Sequence, residues 1–282
     1  MTGAAAGLRR IWLCADDYGI SNSVDIAIRD LVVRGRLNAA SVLVVAPSFY
    51  RSEAIALDAL NSGAPRVAIG LHVALTAPFR PSSRNFTPVR EGAFLSLAAT
   101  CRHAAMRRFE RAALVTEITS QMRTFVDSFG RPPDFVDGHQ HVHLLPQIGE
   151  ALLQVVKETA PNAWVRQCAR ALPFSARFAD RKALLLDIFG YRFRRRAAAL
   201  GLRTNPAFAG AYDFNDDADF AALFAGFLDG LPDGGVLMCH PGFVDAELCR
   251  LDPLTTLREK EYAFLASDSF PALLAARGVA LA

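Results

Sequence analysis

No stretch of the 282-residue sequence approaches the ~18 uninterrupted apolar residues that a membrane span requires. The start offers no substitute. Met1 to Arg10 is short and rich in small residues, and the apolar run after it is broken by Asp16 and Asp17, so it does not read as a signal peptide. A cytoplasmic protein without stable membrane insertion is expected. C-x-x-C pairs are missing as well: the five cysteines, Cys14, Cys101, Cys168, Cys239 and Cys249, are odd in number and scattered. That leaves out a cysteine zinc site or a redox dithiol and points to reduced thiols. A net charge of +3 is too small to imply a nucleic-acid partner. Its one concentration, Arg192-Phe193-Arg194-Arg195-Arg196, reads first as a solvated helix face and second as a contact for an anionic or lipid-linked substrate. Internal repeats and low-complexity segments are also absent.

The chain is instead 52% hydrophobic and 21% charged, which suffices for one large core. Residues 1–282 are expected to form a single domain with a flexible start over 1–10, and a homodimer would be the commonest assembly. Strand-like and helix-like stretches alternate throughout, the pattern of a mostly parallel α/β fold. Ile11 to Ala15, Ala40 to Ala46, Val67 to Leu71, Phe135 to Val142, Ala163 to Gln167 and Gly235 to Cys239 read as strands. Helices are expected from Ser21 or Ser23 to about Arg34, and over Ser52–Leu60, Ala112–Phe129, Ile148–Thr159, Arg181–Leu200, Asp219–Leu228 and Arg258–Leu274. Ala77 to Leu97 reads as a long loop over the site, and Thr204 to Asp217 as a second loop. Six or seven strands, each followed by a helix or loop, suit a closed or nearly closed barrel, an α/β fold of the TIM-like kind.

In such barrels the working residues lie at the C-terminal ends of the strands. Asp16-Asp17, His72, Asp137 to His141 and His240 all fall at or just beyond such an end. Four separate segments bringing polar residues to one rim outweigh any single motif. Imidazole and carboxylate suit a divalent metal, and the ligands most available are His72, His139 and one of the two aspartates. In Asp137-Gly138-His139-Gln140-His141-Val142-His143, a regular strand would place the odd-numbered residues on one face, with His139 and His143 about 13 Å apart. They are then too far apart to share one ion. His139 is the preferred ligand and His141 the reserve; His143 lines or buttresses the pocket, and Asp137 orients a histidine from behind. Of the two aspartates, one binds the metal and the other removes a proton from an activated water. Hydrolysis of an amide also needs an acid for the leaving amine, and His240, ahead of Pro241-Gly242, is placed to supply it.

At these residues the sequence resembles the YdjC-like carbohydrate deacetylase family, which includes chitooligosaccharide deacetylases and a hopanoid-biosynthesis branch. The stretches that carry the resemblance are Ala15-Asp16-Asp17-Tyr18-Gly19, Gly70-Leu71-His72-Val73-Ala74-Leu75-Thr76, Asp137 to His143, and Cys239-His240-Pro241-Gly242. Glu117, Gln121, Arg258 and Glu261 match more softly. The resemblance implies a single-domain distorted (β/α) barrel and one divalent ion, Mg²⁺ or Zn²⁺, held by Asp17, His72 and His139. By analogy with polysaccharide deacetylases it makes Asp16 the base and His240 the acid. The implied substrate is an N-acetylated amino sugar or glycolipid. Tyr18 departs from the family's more usual phenylalanine and adds a hydroxyl near the site. Arg166 is expected either to bind a substrate oxygen or to pair with an aspartate. Asn205, Phe208 and Tyr212 read as packing rather than sugar contacts. Two rival readings are a two-metal phosphoesterase or cyclic-amide hydrolase, suggested by His139-x-His141, and a non-catalytic carbohydrate-binding protein.

Overall fold

The computed structural model describes residues 7–63, 67–171 and 181–282. Seven strands form one parallel sheet in the order β5-β4-β3-β2-β1-β7-β6. They are β1 (Arg9–Tyr18), β2 (Ala39–Val42), β3 (Ala68–Val73), β4 (Phe135–Gly138), β5 (Trp164–Val165), β6 (Phe208–Ala209) and β7 (Val236–Cys239). An eighth short strand, β8 (Val279–Leu281), runs parallel to the first residues of β1. The edges at β5 and β6 are laced together. Val165 N–H donates to Arg203 O (2.9 Å) and Phe208 N–H to Ala169 O (3.0 Å), so the sheet curls into a nearly closed, distorted barrel. This is the architecture expected from the alternation of elements. Of the expected flexible start, residues 1–6 lie outside the described residues, and Arg9 and Arg10 already belong to β1.

The strands read as near-continuous apolar runs because both faces are covered, by helices outside and by packed side chains inside. Ile11, Leu13, Ala40, Val42, Ile69, Leu71 and Val136 have no exposed surface. Each such branched side chain contributes about 1.5–3 kcal/mol on burial. Outside the barrel lie α1 (Asn22–Val33), α2 (Arg51–Asp58), α3 (Leu97–Ala105), α4 (Arg111–Phe129), α5 (Ile148–Thr159), α6 (Arg181–Ala199), α7 (Phe220–Leu228), α8 (Leu248–Leu251), α9 (Thr256–Ala266) and α10 (Ser269–Ala276). Ser21 caps α1 by accepting from Val24 N–H, and Gly130 ends α4 in the left-handed region at φ 69°. In α6 Phe193 is buried while the arginines around it are exposed, as expected of a solvated face. No helix among the described residues is long and apolar enough to cross a membrane.

Several elements differ from expectation: Thr204–Asp217, read as a loop, contains β6, and α3, α8 and β8 fall where no element was foreseen, while the change that bears on the site is at β4. The strand foreseen over Phe135–Val142 stops at Gly138, and His139–Leu144 forms a tight 3₁₀-type turn in which Gln140 (φ 53°) and His141 (φ 58°) are left-handed. The period-two alternation of the histidines therefore ends at His139. A Cβ on Gly138 would come within 3.0 Å of His143 Nδ1, so the missing side chain is what lets the turn fold back beneath the strand end.

Candidate active site

Adjacent residues of a strand point to opposite faces, yet Asp16 and Asp17 both line the same cavity. A bulge accounts for this. Between the pairs Ala15↔Ala40 and Tyr18↔Val42, β1 advances three residues while β2 advances two. The extra residue re-aims the chain, and Asp17 takes φ 69° to do so. A non-glycine residue held there costs of order 1–3 kcal/mol and persists only when its surroundings fix it. Here they do: Ile20 N–H donates to Asp17 O, and Gly19 N–H donates to the buried Asp25 carboxylate (2.5 Å).

Asp17 Oδ1 lies 2.9 Å from His139 Nδ1 and 3.4 Å from His72 Nε2. All three groups are buried, and one atom from each lies within 4.8 Å of the others. Ligand atoms around a tetrahedral ion with bonds of about 2.0–2.1 Å stand roughly 3.3 Å apart, so this donor set fits one divalent metal of borderline character. His72 and Asp137 are register partners on β3 and β4, which brings His72 Nδ1 within 2.6 Å of Asp137 Oδ1. Ser41, on the same inward face one strand away, donates to that carboxylate oxygen at 2.5 Å. Nδ1 of His72 is thus engaged, and Nε2 is the nitrogen available to an ion. Burial alone would push this imidazole down, but Asp137 and Asp16 outweigh it and lift its pKa to about 10.

Two buried arginines distinguish the aspartates. Arg166, just beyond β5, clamps Asp16 with two hydrogen bonds (2.6 and 2.7 Å), reaches Asp137 Oδ2 at 2.6 Å and touches Cys14 Sγ at 3.0 Å. Cys14, Asp16 and Asp137 also cluster closely enough for an ion, but the guanidinium already fills that role. Arg258, from α9, donates to Asp17 Oδ2 and to Asp252 Oδ2, each at 2.7 Å. One oxygen of Asp17 is so committed to Arg258, and the other faces the histidines. Burial would raise the Asp17 carboxyl, yet His139 and Arg258 hold it well below the usual carboxylate range.

His240 follows β7, the neighbour of β1, and lines the same cavity. Its backbone N–H donates to Glu261 Oε2 (2.5 Å), and its buried Nδ1 has no hydrogen-bond partner among the described residues. The cavity of about 570 Å³ also takes in His141, Tyr212, Phe214 and Asp252. His141 does not join His139 in the ligand cluster. The left-handed turn sends its ring against Phe208 and its Nδ1 to 3.7 Å from Cys168 Sγ. Burial and the nearby His143 and Arg166 push its pKa well down. His143 lies beneath the site with Nε2 2.9 Å from Arg166 O, and burial brings its pKa down to about 4. Tyr18 corrects an expectation: its hydroxyl donates to Glu53 O (2.8 Å) and accepts from Arg29 (2.7 Å), outside the cavity lining. Asn205 bonds backbone groups of Gln167 and Ala207, and Phe208 is buried, both as packing residues.

Sequence reasoning passed over Ser41, Asp252 and Phe214. Ser41 had a signal, a lone hydroxyl inside a buried apolar strand. The family model described as YdjC-like protein matches residues 10–276. The chain belongs to this family. Among curated relatives of this YdjC-like protein, the chitooligosaccharide deacetylase of Escherichia fergusonii is 28% identical over 281 residues, covering 95% of this chain and 94% of that protein. The chitooligosaccharide deacetylase of Citrobacter koseri is 27% identical over 272 residues, with the same coverage of 95% and 94%. A solved structure from Enterococcus faecalis V583, named a "putative cellobiose-phosphate cleavage protein", superposes with a TM-score of 0.74 at 22% identity over 97% of both chains. At that identity the likeness speaks to the fold.

Proposed function

We propose that this YdjC-like protein is a divalent-metal-dependent hydrolase that removes the N-acetyl group of an amino sugar and releases acetate. The observation that carries the reading is the convergence of Asp17, His72 and His139 on one point of a cavity that also holds Asp16 and His240. The cavity volume suits a ligand of sugar size, since small-molecule sites run to about 300–1,000 Å³. The relatives named chitooligosaccharide deacetylases support the substrate class.

A divalent ion at Asp17, His72 and His139 would polarise the acetyl carbonyl and lower the pKa of a water toward ~7. The two imidazoles favour zinc over magnesium. Asp16, held in place by Arg166, takes the water's proton; both its oxygens accept from the guanidinium, Oδ1 also accepts from Cys14 Sγ–H (3.5 Å), and Oδ2 keeps a further lone pair for the proton. The water oxygen adds to the carbonyl carbon, the C–N bond breaks, and His240 gives a proton to the departing nitrogen. The products are acetate and a free amine. Asp137 and Ser41 orient His72 from behind, and Arg258 orients Asp17.

The test is acetate release from a panel of free, oligomeric and lipid-linked N-acetyl sugars, using metal-stripped protein with metal added back. Asp17→Ala and His139→Ala should lose metal and activity together, by more than the ~100-fold typical of losing an outer partner of a metal ligand. Acetate release by either variant at the parent rate would sink the scheme.

A further inference from the structure

Phe214 is the only exposed phenylalanine among the described residues, and it stands in the lining of the site cavity. The other aromatic rings near the ligand cluster are committed to packing. Phe79 is buried against His139, and Phe208 lies under His141. Phe214 instead holds a bulky side chain at φ 51°, a left-handed backbone position that is strained for any residue with a side chain. It also leaves an apolar ring partly in water. Neither cost is recovered by burial of the ring in the free protein.

The ring is nonetheless firmly mounted. Its centroid lies 4.3 Å from that of Tyr212 and 5.4 Å, edge-on, from that of His240. Tyr212 O–H donates to Glu261 Oε1 (2.7 Å), the carboxylate whose other oxygen receives His240 N–H. One buried carboxylate thereby sets both the aromatic face and the histidine beside it. Asp213 and Asp216 flank the ring on the same loop and line the cavity with Asp252. Ionised carboxylates are acceptors only, suited to hydroxyl or ammonium donors and repelling to anions.

We propose that Phe214 is the stacking platform for a pyranose ring, with Asp213 and Asp216 beside it as acceptors for that ring's hydroxyls. A pyranose offers what this mouth asks for, a C–H-lined face for the aromatic ring and hydroxyls around its edge. The proposal rests on the deacetylase reading, in that the stacked sugar is the one whose acetamido group reaches Asp17, His72 and His139. The platform sets affinity and orientation and takes no part in proton transfer.

The test compares the parent with Phe214→Ala and Phe214→Trp in the full, metal-loaded chain. Binding of a glucosamine trimer is read by titration calorimetry, and acetate release is followed from an N-acetylglucosamine trimer and from N-acetylethanolamine, which has no ring. Phe214→Ala should weaken trimer binding and raise its KM by about tenfold, since each ~1.4 kcal/mol of lost contact is a factor of ten. Its kcat should stay within about twofold of the parent, and N-acetylethanolamine turnover should not change. Phe214→Trp should restore both trimer values. Unchanged KM and affinity in Phe214→Ala would overturn the proposal, as would a lower kcat at constant KM, which would assign the ring to holding His240. If the parent bound the trimer through Phe214 but released no acetate, the hydrolase reading would fall and the platform would stand. If the parent bound no trimer and hydrolysed none, the platform would fall.

Discussion

Taking a guanidinium out of water costs several kcal/mol, and Arg166 and Arg258 both lie fully buried. Such groups persist when every charge near them is matched. Arg166 answers Asp16 and Asp137, and Arg258 answers Asp17 and Asp252. Arg166→Met would leave two carboxylates buried without their cation and should destabilise the protein by about 3–5 kcal/mol, read from urea unfolding. Arg166→Lys keeps the charge but not the planar fork that spans two carboxylates. It should fold, and should lower acetate release or metal affinity by about 10- to 100-fold, the usual cost of disturbing the outer partners of metal ligands. Parent-like activity in Arg166→Lys would show that the fork does not position Asp16 and Asp137. At this scale the sequence disclosed the polar residues that end a strand, His72 and Asp17, because hydropathy breaks there. It hid Asp252 and Phe214, which sit in polar loops where one more acid or aromatic carries no pattern.

The elements that shape the rim are irregular, and each irregularity has a local cause. The β1 bulge puts neighbouring aspartates on one side, and the turn after Gly138 separates His141 from His139. Glu117 and Gln121, one turn apart on α4, fasten the long loop: Gln121 brackets Ala74, and Glu117 accepts from Ser82 and Ser83. β6 is fixed by the close approach of Gly210 to β7. A Cβ there would lie 2.2 Å from Met238 O, and φ is +106°. Gly210→Ala should therefore force β6 away from β7 and destabilise the fold by about 1–3 kcal/mol or more, measured by urea unfolding. Because the loop that carries Tyr212 and Phe214 begins at that point, its KM should rise with its kcat less affected. An alanine variant of parent stability would mean that the two strands are not held this tightly. Most strands and helices were legible to within a few residues, since periodicity reports burial. The bulge and the left-handed turn were not, because each is a balance between local strain and the contacts that repay it.

Across the whole molecule, the barrel gathers the proposed ligands from β1, β3 and the turn after β4, so an ion held there would link metal binding to folding and protonation. This gathering was the part most legible in the sequence, since the parallel order alone brings all strand ends to one rim. What the pattern could not supply is the charge state of the rim. In the metal-free protein His72, lifted to about 10 by Asp137 and Asp16 against the effect of burial, carries two ring protons at neutral pH. The Nδ1 proton stays with Asp137, and the one on Nε2 must leave before an ion can bind. Binding should release about one proton per ion, and apparent affinity should rise about tenfold per pH unit below that pKa. The stripped protein should move the other way. A histidine whose pKa is raised on folding contributes stability that is complete below its unfolded value of ~6.5 and is lost as pH climbs toward about 10. The gap in Tm between metal-loaded and stripped protein should thus widen from pH 6.5 to pH 8.5 at fixed metal concentration, by the mass-action stabilisation of the bound form. Calorimetric titration with zinc in buffers of different ionisation enthalpy gives the proton count directly. A count near zero, with a Tm gap independent of pH, would mean that His72 is neutral before the ion arrives or is not one of its ligands.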